Sequence, residues 1–214
     1  MTSSDKLLAG IVKFRKEDYE AHKELFQSLG TYHNPHTLFI ACSDSRLMPG
    51  LITKSLPGEL FNIRNIANIV PPYRETGEFV ATTSAIEYAV KHLDVERIIV
   101  CGHSNCGGCS ACLNGERDLF GMPHTKKWLE LAEPVRERVL NSPYASDRGF
   151  AEWMMEQENV LEQLKHLLTY PFIAERVSNG TLTLEGWYYV IETGEIFTYD
   201  RKNQAFILAN DNKV

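Results

Sequence analysis

The sequence predicts an α/β fold, a mostly parallel central sheet of four to five strands flanked by helices. Three observations predict it. Short apolar runs of the kind found in strands buried on both faces occur at 38–42 and 97–101, and a further strand candidate lies at 59–64. Stretches of helical period separate and follow them, the alternation expected of an α/β layout. Polar loops begin directly after the first and third runs, where open α/β sheets place their binding crevice.

Residues 5–28 carry Leu7, Leu8, Ile11, Val12, Phe14, Tyr19, Leu25 and Phe26 at a loosely helical period, which Gly30 and the pair Asn34-Pro35 break. The first strand, Leu38-Phe39-Ile40-Ala41-Cys42, ends at polar Ser43-Asp44-Ser45-Arg46. The second, with Leu60, Phe61 and Ile63, is introduced by the turn residues Pro57-Gly58. From Phe79 to Leu93 the pattern is helical again. The third strand, 97–101, runs into Gly102-His103-Ser104-Asn105-Cys106-Gly107-Gly108. Segments 114–124 and 141–149 are rich in Gly, Pro, Asn and Asp and read as loops. A long amphipathic helix follows, with Phe150, Trp153, Met154, Val160, Leu161, Leu164, Leu167 and Leu168 on its apolar stripe. A hairpin closes the chain, 187–191 and 195–199 about Glu192-Thr193-Gly194. Length supports one domain over 1–214: a helical segment at 1–35, the α/β core at 36–200 and a tail at 201–214.

Composition narrows the function. Hydrophobic residues make up 43% and charged residues 23%, which excludes a disordered, collagen-like or coiled-coil chain. No run approaches the ~18 apolar residues of a membrane helix, and no secretory signal is visible at the N-terminus. The net charge of -6 argues against nucleic-acid binding, which needs a concentrated basic face. Cys42, Cys101, Cys106, Cys109 and Cys112 are odd in number and mostly clustered. A cluster beside histidine reads as metal chemistry in a reducing compartment, and the expected location is cytoplasmic.

Cys42, His103 and Cys106 form a soft three-ligand set suited to zinc, with a fourth position left for water or substrate, the catalytic rather than the structural pattern. The first and third strands must be neighbours for the triad to close. Ser104 or Asn105 is the expected N-cap of a helix at Cys106, whose positive end would lower the Cys106 pKa. Gly107 and Gly108 let the backbone pass close to the ion. If the chain stays extended after Cys42, then Asp44 and Arg46 project to the same side as that cysteine. Held ionised by the guanidinium, Asp44 could orient a metal-bound hydroxide, or become the fourth ligand if Arg46 lets go. Plainer readings apply elsewhere. Cys101 is a packed core residue. The Cys106, Cys109 and Cys112 spacing fits successive helical turns better than an iron–sulfur cluster. His22, His33, His36, His92, His124 and His166 are surface or capping residues. Asp44 and Arg46 alone could be a structural ion pair, but their place just after a ligand candidate raises them above that.

Ala41-Cys42-Ser43-Asp44-Ser45-Arg46, the segment from Pro57 to Asn68, and Cys101-Gly102-His103-Ser104-Asn105-Cys106-Gly107-Gly108 closely resemble the β-class carbonic anhydrases, bacterial members of the plant-like subgroup above all. The likeness extends to Ile86-Glu87-Tyr88-Ala89-Val90 and Gly186-Trp187-Tyr188. It implies one zinc per subunit on Cys42, His103 and Cys106, an Asp44–Arg46 catalytic dyad, and attack of zinc-bound hydroxide on carbon dioxide to give bicarbonate and a proton. It implies an N-terminal helical arm wrapped on a second subunit, a homodimer that pairs further into tetramers, and no nucleic-acid or membrane partner. Phe61, Ile66 and Tyr88 fall on the family's apolar substrate pocket, with Gly107 beside it. His33 stands where the plant-like subgroup has glutamine, and can still donate a hydrogen bond to bicarbonate. Phe39 stands where the bicarbonate-inhibited subgroup has tryptophan, although Arg64 is kept. Rival readings are hydrolysis of carbonyl sulfide or carbon disulfide on the same scaffold, and a non-catalytic zinc module.

Overall fold

A computed structural model describes residues 2–75, 77 and 80–210. Six strands form one sheet in the order β2-β1-β3-β4-β5-β6, with β1 at Thr37–Cys42, β2 at Leu60–Asn65, β3 at Arg97–His103, β4 at Thr183–Tyr189, β5 at Ile196–Asp200 and β6 at Ala205–Leu208. The first four in that order are mutually parallel, and β5 and β6 are added antiparallel. The expected class and the mostly parallel sheet are observed, with one strand beyond the expected four or five. That extra strand, β6, lies in the segment read as a tail. Its short run Ala205-Phe206-Ile207-Leu208 follows a tight turn in which Asp200 Oδ1 accepts the amides of Lys202 and Asn203. Residues 211–214 of that tail lie outside the described residues.

β1 and β3 are apolar on both faces because both faces are covered. Leu38, Ile40, Ile98 and Val100 pack on one side with Ile86, Val90, Val160, Leu164 and Tyr170. Phe39, Ala41, Ile99 and Cys101 pack on the other with Leu47 and Trp187. Cys101 is fully buried there, as a packed residue should be. The hairpin is also longer than expected: β4 starts at Thr183 and pairs with β3 along its whole length.

The helical N-terminal segment is three helices: α1 at Ser3–Lys16, α2 at Asp18–Ala21 and α3 at Lys23–Ser28. A capping box between Thr2 and Asp5 starts α1. None of the three buries a residue, since no face of the same chain lies beneath them. Short α4 (Pro49–Thr53) follows the first strand. The helix expected from Phe79 is α5 (Val80–Glu87), continued by a wider π-helical turn over Tyr88–His92; Phe79 itself lies outside the described residues. After β3 come α6 (Gly107–Asn114), α7 (Glu116–Leu119), α8 (Pro123–Leu129) and α9 (Glu133–Leu140), so the supposed loop at 114–124 is partly helical. Pro123 at a first helical position, where its missing N–H costs nothing, starts α8 despite that turn-rich composition. The long helix is α10 (Arg148–Leu168), capped by Asp147, and α11 (Pro171–Ser178) leads into β4. α10 sits so tightly on β3 that a Cβ at Gly102 would come within 2.6 Å of Val160 Cγ2.

Candidate metal centre

Because β1 and β3 are hydrogen-bonded neighbours running the same way, their C-terminal ends lie side by side. Cys42 is the last residue of β1 and His103 the last of β3. The chain then turns through Asn105, in the left-handed conformation at φ 55°, and Cys106 opens α6. The strand adjacency that the triad requires is therefore met. Cys42 Sγ and Cys106 Sγ are 4.0 Å apart, and a ligand atom from each of Cys42, His103 and Cys106 lies within 4.8 Å of the other two.

The state of His103 is set by its surroundings. Its Nδ1 donates to the carbonyl of Ser104 at 2.9 Å, which leaves Nε2 as the ring's free lone pair. That Nε2 is buried and has no hydrogen-bond partner. Only weak thiol donors face this buried acceptor, a costly arrangement unless something better fills it. These three residues could hold a metal ion, and the donor set is soft.

The thiols do not ionise unaided. Cys42 is pushed up to about 12, first by the neighbouring Cys106 sulfur and then by burial. Cys106 is pushed up as well, chiefly by the Cys109 sulfur. This corrects the expectation that the helix end would lower it. Cys106 is itself the N-cap, in place of Ser104 or Asn105, and sulfur crowding outweighs the helix field there. A cation held at this corner would have to displace the thiol protons.

Asp44 and Arg46 lie on a turn rather than an extended strand, so their meeting owes nothing to strand alternation. Asp44 Oδ1 accepts from the Arg46 amide and from Nε, each at 2.9 Å, and Oδ2 accepts from Nη2 at 2.7 Å. The guanidinium holds the Asp44 carboxyl well below the usual carboxylate range, against the opposing effect of burial. Oδ2 is also the oxygen that faces the triad, 3.9 Å from His103 Nε2. Arg46 Nη2 donates further to the Asn105 carbonyl at 3.0 Å, tying this turn to the metal corner.

The candidate pocket residues divide. Ile66 is close to the triad's helix: a Cβ at Gly108 would come within 2.9 Å of Ile66 Cγ2, and Trp128 Nε1 donates to the Ile66 carbonyl. Gly107 opens onto free space. Phe61 and Tyr88 meet each other, ring centroids 5.9 Å apart, but away from this centre. Phe61 pairs in register with Leu38, whereas Asn65 pairs with Cys42, a separation of roughly 13 Å along the strand. His33 precedes β1, at the opposite end of that strand from Cys42, and is exposed. One chain does not bring these three to its own metal centre.

Other residues brace the centre. Arg64 donates to the carbonyls of Cys42, Asp44 and Leu47, pinning the turn that carries the dyad. Ser104 Oγ and Asn105 Nδ2 donate to the Glu192 carboxylate. Beneath them, buried Glu156 accepts the Cys106 amide at 2.8 Å and the Tyr188 hydroxyl at 2.6 Å; burial pushes its carboxyl upward, and both donors oppose that. In the sequence Glu156 is hidden behind the apolar stripe of α10. The readable signal was a second, polar stripe on the same helix at the same period. His166 belongs to it, buried with Nδ1 donating to Val70, and is therefore neither a surface nor a capping residue.

Comparison with known proteins agrees with this geometry. Residues 37–196 match the family model described as carbonic anhydrase. A carbonic anhydrase of Helicobacter pylori strain J99 is 42% identical over 201 residues, covering 92% of this chain and 90% of the relative. One from Pseudomonas aeruginosa is 40% identical over 201 residues, covering 94% and 90%. Among solved structures, the β-carbonic anhydrase CcaA superposes with a TM-score of 0.93 at 39% identity, over 97% of this chain and 100% of that one. A structure titled as one of two tetrameric β-carbonic anhydrases from Sordaria macrospora gives 0.72 at 34% identity, over 92% and 93%. A chain whose sequence and fold match these proteins over most of its length belongs to the β-class carbonic anhydrases.

Proposed function

We propose that this protein hydrates carbon dioxide reversibly to bicarbonate and a proton, at one zinc ion per subunit held by Cys42 Sγ, His103 Nε2 and Cys106 Sγ. The observation that carries the reading is the unpartnered His103 Nε2, buried and facing two sulfurs 4.0 Å apart. Two sulfurs and an imidazole are a ligand set zinc prefers, and three protein ligands leave one place open. Zinc bound there supplies Lewis acidity, making hydroxide available from water near neutral pH.

The chain's own residues do the rest. Asp44 stays ionised, so it accepts a hydrogen bond from the attacking oxygen and fixes the direction of its lone pair. Arg46 occupies both carboxylate oxygens and so keeps Asp44 from filling the open place as a fourth ligand. Ile66 and the unobstructed backbone at Gly107 offer an apolar approach for carbon dioxide.

The remaining pocket residues reach the centre from a second copy of the chain: Phe61 of the partner subunit, the partner's Tyr88 and the partner's His33. The wholly unburied α1, with Leu7 at 73% and Leu8 at 60% exposure, supports such a dimer, and one family structure is described as tetrameric. Five free cysteines suit a reducing, cytoplasmic setting, and among the described residues no helix is long and apolar enough to cross a membrane.

Stopped-flow carbon dioxide hydration, with zinc content determined on the same sample, tests this reading. The wild type should carry one zinc per chain and be active, and Cys42→Ala should lose both. Full activity in a zinc-free Cys42→Ala sample would refute the assignment. Hydrogen sulfide release from carbonyl sulfide, without carbon dioxide hydration, would replace the substrate.

A further inference from the structure

Glu156, Asn159, Gln163 and His166 are spaced three, four and three residues apart, which places them on one face of α10. All four are buried. Three of them hold the backbone that follows β2. Asn159 Nδ2 donates to the Ala67 carbonyl at 2.8 Å, Gln163 Oε1 accepts the Val70 amide at 2.8 Å, and His166 Nδ1 donates to the Val70 carbonyl at 2.7 Å. The fourth reaches the metal corner, where Glu156 Oε1 accepts the Cys106 amide and Oε2 accepts the Tyr188 hydroxyl.

No lysine or arginine pairs with Glu156 among the described residues, and a buried carboxyl without a counter-ion is costly. An aliphatic side chain would fill that place on α10 without the penalty. Its two partners suggest what it does. Cys106 supplies one of the sulfurs, and Tyr188 comes from β4, beside the strand that ends in His103. Between His103 and Cys106 the chain passes through Asn105 in the left-handed region, which asparagine adopts more readily than other non-glycine residues, so hydrogen bonds to its neighbours fix where the turn places Cys106. The restraints from Arg46 and Glu192 act at the solvent side of this corner. Glu156 acts from the core, on a helix seated against Gly102 and Gly186.

We infer that Glu156 is a positioning residue for the metal centre: anchored by Tyr188, it grips the Cys106 amide and so sets Cys106 Sγ relative to Cys42 Sγ and His103 Nε2. It touches neither substrate nor metal. The inference rests on the zinc reading above, and its test separates the two.

Zinc release to a chromophoric chelator is measured for the wild type and for Glu156→Gln, Glu156→Ala and Tyr188→Phe, beside the absorption spectrum of each cobalt-substituted protein. Losing an outer-shell partner of this kind typically costs 10- to 100-fold in metal affinity. Glu156→Ala should therefore release zinc about tenfold faster or more, with shifted cobalt bands. Glu156→Gln, which keeps an acceptor for the Cys106 amide, should restore a release rate and spectrum close to the wild type. Tyr188→Phe should fall between, and it decides the matter if the alanine variant does not fold. Wild-type release and an unchanged cobalt spectrum in Glu156→Ala or Tyr188→Phe would overturn the inference, as would a glutamine variant as labile as alanine. A wild type that takes up no zinc would instead overturn the zinc reading itself.

Discussion

Asp44 is held ionised by a partner two residues away, and that pairing decides what the carboxylate does. Arg46 meets both oxygens with its fork, and the shared turn holds them at hydrogen-bond distance. Asp44→Asn keeps the size of the side chain but removes the ionised acceptor. It should retain zinc at one per chain while carbon dioxide hydration falls about 100-fold or more, the usual worth of a positioned proton acceptor. Unchanged turnover in that variant would make the pair structural. At this scale much was legible, because cysteine and histidine beside Asp-x-Arg are few and chemically distinctive. The thiol pKa was not: the helix end could be seen in the sequence, but the Cys109 sulfur that outweighs it sits three residues further on in a buried corner.

The centre is assembled at the level of elements by one strand pairing and one helix. Pairing β1 with β3 converts two distant segments into neighbours, and the apolar runs announced both strands. α10 was visible as an apolar stripe, while its buried polar stripe was masked because glutamate, asparagine, glutamine and histidine usually mark a solvated face. β6 was hidden by its shortness and by the polar turn before it. The polar stripe carries a pH dependence of its own. Burial holds His166 below its ordinary pKa, although the Val70 carbonyl and Glu162 act upward and Lys165 acts downward with burial. The folded state therefore binds fewer protons than the unfolded chain as pH falls through about 6.5, and that stability, present above it, is lost below. The wild type should lose melting temperature between pH 7 and pH 5 more steeply than His166→Gln. Parallel curves would show that His166 carries no such linkage.

Taken as a whole, one chain brings Cys42, His103 and Cys106 together and leaves His33, Phe61 and Tyr88 apart from them. The family resemblance implies pocket roles for His33, Phe61 and Tyr88, and the proposed dimer would deliver them to a second copy's centre. The apolar stripe of α1 was legible and stays exposed in the single chain, as the proposed dimer requires. In the proposed dimer, Leu8→Glu together with Ile11→Glu should give monomers by light scattering and lower carbon dioxide hydration at least tenfold, with zinc content unchanged. An active monomer would show that each chain completes its own pocket.

X-ray absorption at the zinc edge of the loaded protein reads the coordination sphere atom by atom. Two sulfurs at about 2.3 Å, one imidazole nitrogen at about 2.0–2.1 Å and a single oxygen in the remaining place are expected. A shell closed by four sulfur or nitrogen ligands would contradict a catalytic centre built from Cys42, His103 and Cys106.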